Sequence, residues 1–139
     1  MITELHNVYV SRELALLLKQ AGFDWECHKI YYCYHEDGDN WELEDNNKNT
    51  KRVLELDYCL LAPTLEVAQR WLREVKDLDV YIFPTTNTKR GCVYEWGIKT
   101  FGRALWVEGQ PYTNQYETYE ETQEAGIKKA LEIFLEKGE

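Results

Sequence analysis

Cysteine and histidine are the side chains whose spacing most directly suggests chemistry. Four cysteines (Cys27, Cys33, Cys59 and Cys92) accompany three histidines. Cys33 and His35 lie two positions apart, so on a strand both would point to one side and begin a metal site. The remaining ligands would have to come from Cys59 or Cys92, and there is no Cys-x-x-Cys pair of the zinc-ribbon or thioredoxin kind. No metal and no cofactor is therefore assigned. The thiols read as small hydrophobes within an apolar layer, kept reduced in a cytosolic compartment.

Acids form the next cluster. The stretch Glu36–Asn49 carries Glu36, Asp37, Asp39, Glu42, Glu44 and Asp45 before its first base, Lys48. Alternating carboxylates invite a calcium reading. Counted from Asp37, however, the sixth and twelfth loop positions hold Glu42 and Lys48 instead of glycine and glutamate. A solvated acidic loop between two strands is the expectation. Glu95, placed mid-strand among aromatics, is the most interesting single acid; if its face is exposed it is only a surface acid, paired across strands with Arg103 or the neighbours of Lys99. The chain has no Gly-x-Ser-x-Gly elbow, no Gly-x-Gly-x-x-Gly and no P-loop. No catalytic residue is assigned.

Aromatic residues make up 14% of the chain, enough to require a choice between core and binding surface. Tyr31, Tyr32, Tyr34, Tyr94 and Trp96 would make a stacking platform, with Lys89, Arg90, Lys99 and Arg103 supplying positive charge around the hairpin. A small-molecule or nucleotide pocket built this way would use Tyr31, Lys89, Arg90, Tyr94, Trp96 and Arg103. The favoured reading puts Tyr94, Trp96 and Ile98 in the core, because aromatics carry much of the burial in a small domain. Tyr31 and Trp41 are then the rings expected at the surface, where aromatics beside charges suit a protein interface.

Three helices must position these groups. Ser11 caps the first, Leu14, Leu17, Leu18 and Ala21 fall on one face, and Gly22 stops it. Thr64 opens the second, with a stripe of Leu65, Ala68, Trp71, Leu72 and Val75. A capping box, Thr118-x-x-Glu121, opens the third, in which Tyr119, Ile127, Ala130, Leu131 and Phe134 share a face. Gly126 inside that helix costs about 1 kcal/mol relative to alanine, which a close neighbouring backbone would explain. Strands are expected over His28–His35, Val53–Leu61, Asp79–Phe83 (ending at Pro84), Cys92–Thr100 and Arg103–Val107, with Thr85–Gly91 as a hairpin loop. These elements give an α+β class: two layers, with an antiparallel or mixed sheet of four to five strands and about three helices mainly on one face.

The 139 residues suit a single domain, 1–139. A net charge of −9 opposes phosphate-driven nucleic-acid binding. No run approaches the length of a membrane span, and the first residues carry no signal-peptide pattern, so a cytoplasmic location is expected. Acidic clusters project a potential that attracts basic partners, and such a surface would imitate a nucleic-acid backbone. The segment Glu108–Glu124, with Glu108, Glu117, Glu120, Glu121 and Glu124, has the same single sign.

The run Ala62–Val75 followed by Val80-Tyr81-Ile82-Phe83-Pro84 resembles a segment of small uncharacterised proteins encoded by bacterial phages and prophages. So do Tyr94-Glu95-Trp96-Gly97-Ile98, the tail Tyr116–Glu121, Ala125-Gly126-Ile127 and Ala130-Leu131. The resemblance covers residues 60–136 and implies a small accessory protein in a bacterial cytoplasm. It carries no functional residues with it. The leading expectation is a non-enzymatic module that binds a basic protein partner through Glu36, Asp37, Asp39, Trp41, Glu42, Glu44 and Asp45. The alternatives are the aromatic pocket and a structural part of a larger complex. An exposed β edge would also let two copies pair into a dimer.

Overall fold

The computed structural model describes residues 8–34, 40–87, 89, 91–100, 105–108 and 115–136. Over these residues the chain is α+β, and every pair of named strands is antiparallel. The strands fall into two three-stranded sheets instead of the single sheet expected, one in each of two compact units, residues 1–65 and 66–139.

Unit 1 opens with α1 (Arg12–Ala21). The Ser11 side chain accepts from the Leu14 N–H at 3.1 Å, as its cap role requires. At the other end Gly22 sits at φ +96°, its N–H donating to Lys19 O while Phe23 N–H reaches back to Leu18 O. This is a Schellman ending, and it needs the left-handed backbone that glycine adopts freely. Leu14, Ala15, Leu18 and Ala21 are buried. Each of the two leucines contributes roughly 1.5–3 kcal/mol by leaving water.

Strands β1 (Lys29–Cys33) and β2 (Trp41–Asp45) follow, then α2 (Thr50–Glu55) and β3 (Cys59–Leu61). The sheet order is β2-β1-β3. Two expectations are corrected here. The second half of the acidic stretch is a strand, paired residue for residue with β1. The strand expected over Val53–Leu61 is a helical turn followed by a three-residue strand. Asn49 decides the matter: its side chain accepts from Arg52 N–H at 2.8 Å and starts α2, burying Val53. So short a helix cannot be told from a strand by periodicity.

In unit 2, the remainder of α3 (Leu65–Val75) precedes β4 (Leu78–Asn87), β5 (Gly91–Thr100), β6 (Leu105–Glu108) and α4 (Tyr119–Glu136). Ala68, Trp71 and Leu72 of α3 are buried, but Val75, expected in the same stripe, is exposed. Strand β4 runs through Pro84, where the sequence suggested a stop, so the hairpin loop is shorter than expected. Tyr94 spends both its N–H and its C=O on Tyr116, so its pairing with Pro84 asks for no hydrogen bond. The missing proline N–H therefore falls on the outer edge, where it costs nothing.

Thr118 caps α4 through Glu121 N–H at 3.1 Å. Glu120 and Glu121 occupy its first turn, where the helix dipole favours acids. Ile127, Ala130 and Leu131 are buried, whereas Tyr119 is exposed.

Candidate functional site

The hydrogen-bond phase of the first sheet fixes which groups β2 offers. Tyr34 N–H donates to Asn40 O and Asn46 N–H to His28 O, so the even-numbered residues of β1 bond toward β2. Cys33 N–H donates to Tyr58 O, and Lys29 O accepts from Ala62, so the odd-numbered ones bond toward β3. The register pairs Ile30 with Glu44 and Tyr32 with Glu42. Glu42 and Glu44 therefore spend their backbone groups inward, and Trp41, Leu43 and Asp45 turn theirs to the outer edge. All three residues of β3 are buried, which leaves β2 as the open edge of the sheet.

Side chains alternate across this strand. Glu42 and Glu44 lie on the face shared with Ile30 and Tyr32. Neither has an ion-pair partner among the described residues. Asp45, on the opposite face, meets Lys29 Nζ at 2.7 Å. The hydrogen bond and the charge of Lys29 hold the Asp45 carboxyl below the ordinary carboxylate range, and the same bond raises the lysine. The acids expected as one patch are thus distributed over both faces of a strand, one of them already neutralised. Glu36, Asp37 and Asp39 lie outside the described residues.

Trp41 opens β2 and is half-buried. The Arg12 guanidinium lies over its ring, 5.7 Å from the centroid. The two line a groove of about 760 Å³ with Leu16, Lys19, Asp57 and Leu60. Leu16 exposes 46% of its surface there, and Leu60 is buried. Lys19 Nζ donates to Leu56 O at 3.1 Å, which ties α1 to the end of α2. The groove thus has an apolar floor and a rim of mixed charge.

The residues of the alternative pocket are divided between the two units. Tyr31 belongs to unit 1, and its hydroxyl donates to Val10 O at 2.6 Å. The ring is half-buried and tethered, not the free surface ring expected. Tyr94 and Trp96 belong to unit 2, where Tyr94 meets Tyr119 edge-on at 5.9 Å and Trp96 is buried. The Trp96 Nε1 donor has no acceptor among the described residues. Lys89 is exposed at the β4–β5 turn, while Arg90 and Arg103 lie outside the described residues.

Glu95 does not lie on an exposed face. It is 4% exposed and accepts from Gln115 Nε2 at 3.0 Å, so it is a buried acid. Sequence reasoning missed two glutamines of unit 2. Gln123 Nε2 donates to Gln69 Oε1 at 2.8 Å, and Gln69 Nε2 donates to Val80 O at 2.6 Å. Val80 pairs with Ile98, in phase with Tyr94, so this carbonyl points to the outer edge of β4 and the relay covers it. The only available signal was a glutamine lying next to an apolar helical stripe, which is too common to single out.

Among the described residues no three His, Cys, Asp or Glu side chains are grouped to hold a metal ion. Nor is any helix among them long and apolar enough to cross a membrane. Comparison with protein-family models, with curated proteins and with solved structures finds no match for the chain.

Proposed function

We propose that the protein is a non-enzymatic binding module and that its partner is a basic protein segment received on unit 1, at β2 and the adjoining Trp41 groove. The observation that carries this reading is the pair Glu42 and Glu44. They are two carboxylates on an open sheet edge that make no ion pair among the described residues, the nearby Lys48 ammonium lying over the Tyr32 ring, in a chain of net charge −9. Potential of this sign steers cationic partners and discriminates against nucleic acid. Trp41 and Leu16 add apolar area of the kind that anchors interfaces.

The experiment titrates a synthetic lysine-rich peptide into the protein while tryptophan fluorescence is followed at two salt concentrations. Binding is expected to weaken with salt and to weaken further in Glu42→Gln/Glu44→Gln. A charge-matched control, Glu120→Gln/Glu136→Gln on α4, is expected to bind like the parent protein. Equal weakening in both double variants would show a diffuse charge effect and overturn the reading. A phage or prophage origin, suggested by the resemblance of residues 60–136, fits an accessory protein that acts by capture.

A further inference from the structure

Resting on the basic-partner reading, we infer that the partner enters as an added antiparallel strand on the outer edge of β2, with a basic–apolar–basic alternation. The backbone supplies the first half of the argument. Leu43 and Asp45 direct N–H and C=O outward, and neither has a partner for them among the described residues. A guest residue opposite Leu43 would exchange both bonds with it, forming the close hydrogen-bonded pair of an antiparallel ladder.

The side chains set the guest's composition. A residue opposite Leu43 shares its face, and Leu43 is 40% exposed, so an apolar side chain fits there. The residues on either side of it stand opposite Glu42 and Glu44, on the other face, where lysine or arginine completes two ion pairs. Asp45 asks for nothing, since Lys29 already holds it.

Charge also excludes a second copy of the chain. Pairing β2 with itself centred on Leu43 sets Glu42 against Glu44. Slid by two residues either way, the register sets Glu42 against Glu42 or Glu44 against Glu44. Like charges directly opposite destabilise a ladder, so the edge rejects its own kind and accepts a cationic strand. The outer edge of β4 differs: there Gln69 covers the Val80 carbonyl and Pro84 has no N–H.

The test compares three peptides of the same length: alternating Lys-Val, the same composition in a lysine block and a valine block, and the alternating peptide N-methylated on its central valine. The alternating peptide is expected to bind at least about tenfold tighter than the N-methylated one, because methylation removes a backbone donor and leaves the charge intact. It is also expected to slow exchange of the Leu43 and Asp45 amides. Leu43→Pro is expected to reduce binding similarly while the fold persists, because the lost N–H faces outward. Unchanged exchange at Tyr32 reports that β1 and β2 stay paired.

Equal binding of the methylated and unmethylated peptides, still weakened by Glu42→Gln/Glu44→Gln, would overturn strand addition and leave the basic-partner reading standing. Failure of every basic peptide would remove that reading and this inference together. Sedimentation at twice the chain mass, abolished by Leu43→Pro, would assign the edge to a second copy and overturn the proposal.

Discussion

Gly126 of α4 and Val80 of β4 meet so closely that a Cβ on the glycine would lie 2.7 Å from Val80 Cγ1 and 3.1 Å from Trp96 Cβ. The sequence suggested that a neighbouring backbone explained this glycine. The neighbours are in fact two side chains of the second sheet, and they set how near α4 can approach it.

Gly126→Ala is therefore expected to destabilise unit 2. Alanine regains about 1 kcal/mol of helix propensity, but overpacking costs typically about 1–3 kcal/mol. Urea denaturation followed by tryptophan fluorescence should show a lower midpoint. Val80→Ala in the same chain should restore part of it by removing the methyl that clashes. A midpoint above that of the parent protein would mean that α4 shifts freely and that the contact does not fix its position.

The glutamine relay makes a second prediction. Gln123 is 3% exposed, and its amide satisfies Gln69, which in turn covers Val80 O. Gln123→Leu leaves the Gln69 oxygen without its donor and is expected to cost about 1–3 kcal/mol. Replacing Gln69 alone exposes the Val80 carbonyl and should cost a similar amount. A double-mutant cycle should show strong coupling, because each amide is useful only while the other is present. Additive losses in that cycle would mean that the two amides act independently.

Thiol reactivity tests the burial pattern of the cysteines. Cys92 is exposed, while Cys27, Cys33 and Cys59 are buried. Desolvation, aided by the charge of Glu26, pushes the Cys27 thiol up to about 12 from 9.0. A disulfide reagent at neutral pH should titrate Cys92 rapidly and the other three only after unfolding. The raised value also fixes the sign of the pH dependence. Protonated Cys27 is held in the folded state after the unfolded chain has begun to lose that proton. The stabilising contribution is thus complete below pH 9.0 and is lost as pH rises toward about 12. Urea midpoints measured over that window should fall less steeply in Cys27→Ala than in the parent protein. Equal slopes would contradict a desolvated thiol.

The three longer helices were legible because their information is local. Ser11, Gly22 and Thr118 mark helix ends by bonds to residues three or four away, and the apolar stripes repeat within one turn. The α+β class followed from their alternation with β-rich runs. Strand Cys92–Thr100 was legible too, but the side on which Glu95 lies was not. Alternation separates two faces without saying what covers each, and here both faces of β5 are largely buried.

What the sequence determined by itself is the three longer amphipathic helices, the α+β class, the charge of −9 and the identity of the acids. Tertiary structure decided how those acids are used. Only the register of β2 against β1 separates Glu42 and Glu44 from Asp45, brings Lys29 to the last of these and turns Leu43 to an open edge. Strand order places β2 at the edge of its sheet, while Gln69 covers the Val80 carbonyl on the edge of the other. The physical reason is one of range. Capping and helical stripes act over a few residues, whereas strand pairing joins distant segments whose partner and phase no local pattern specifies.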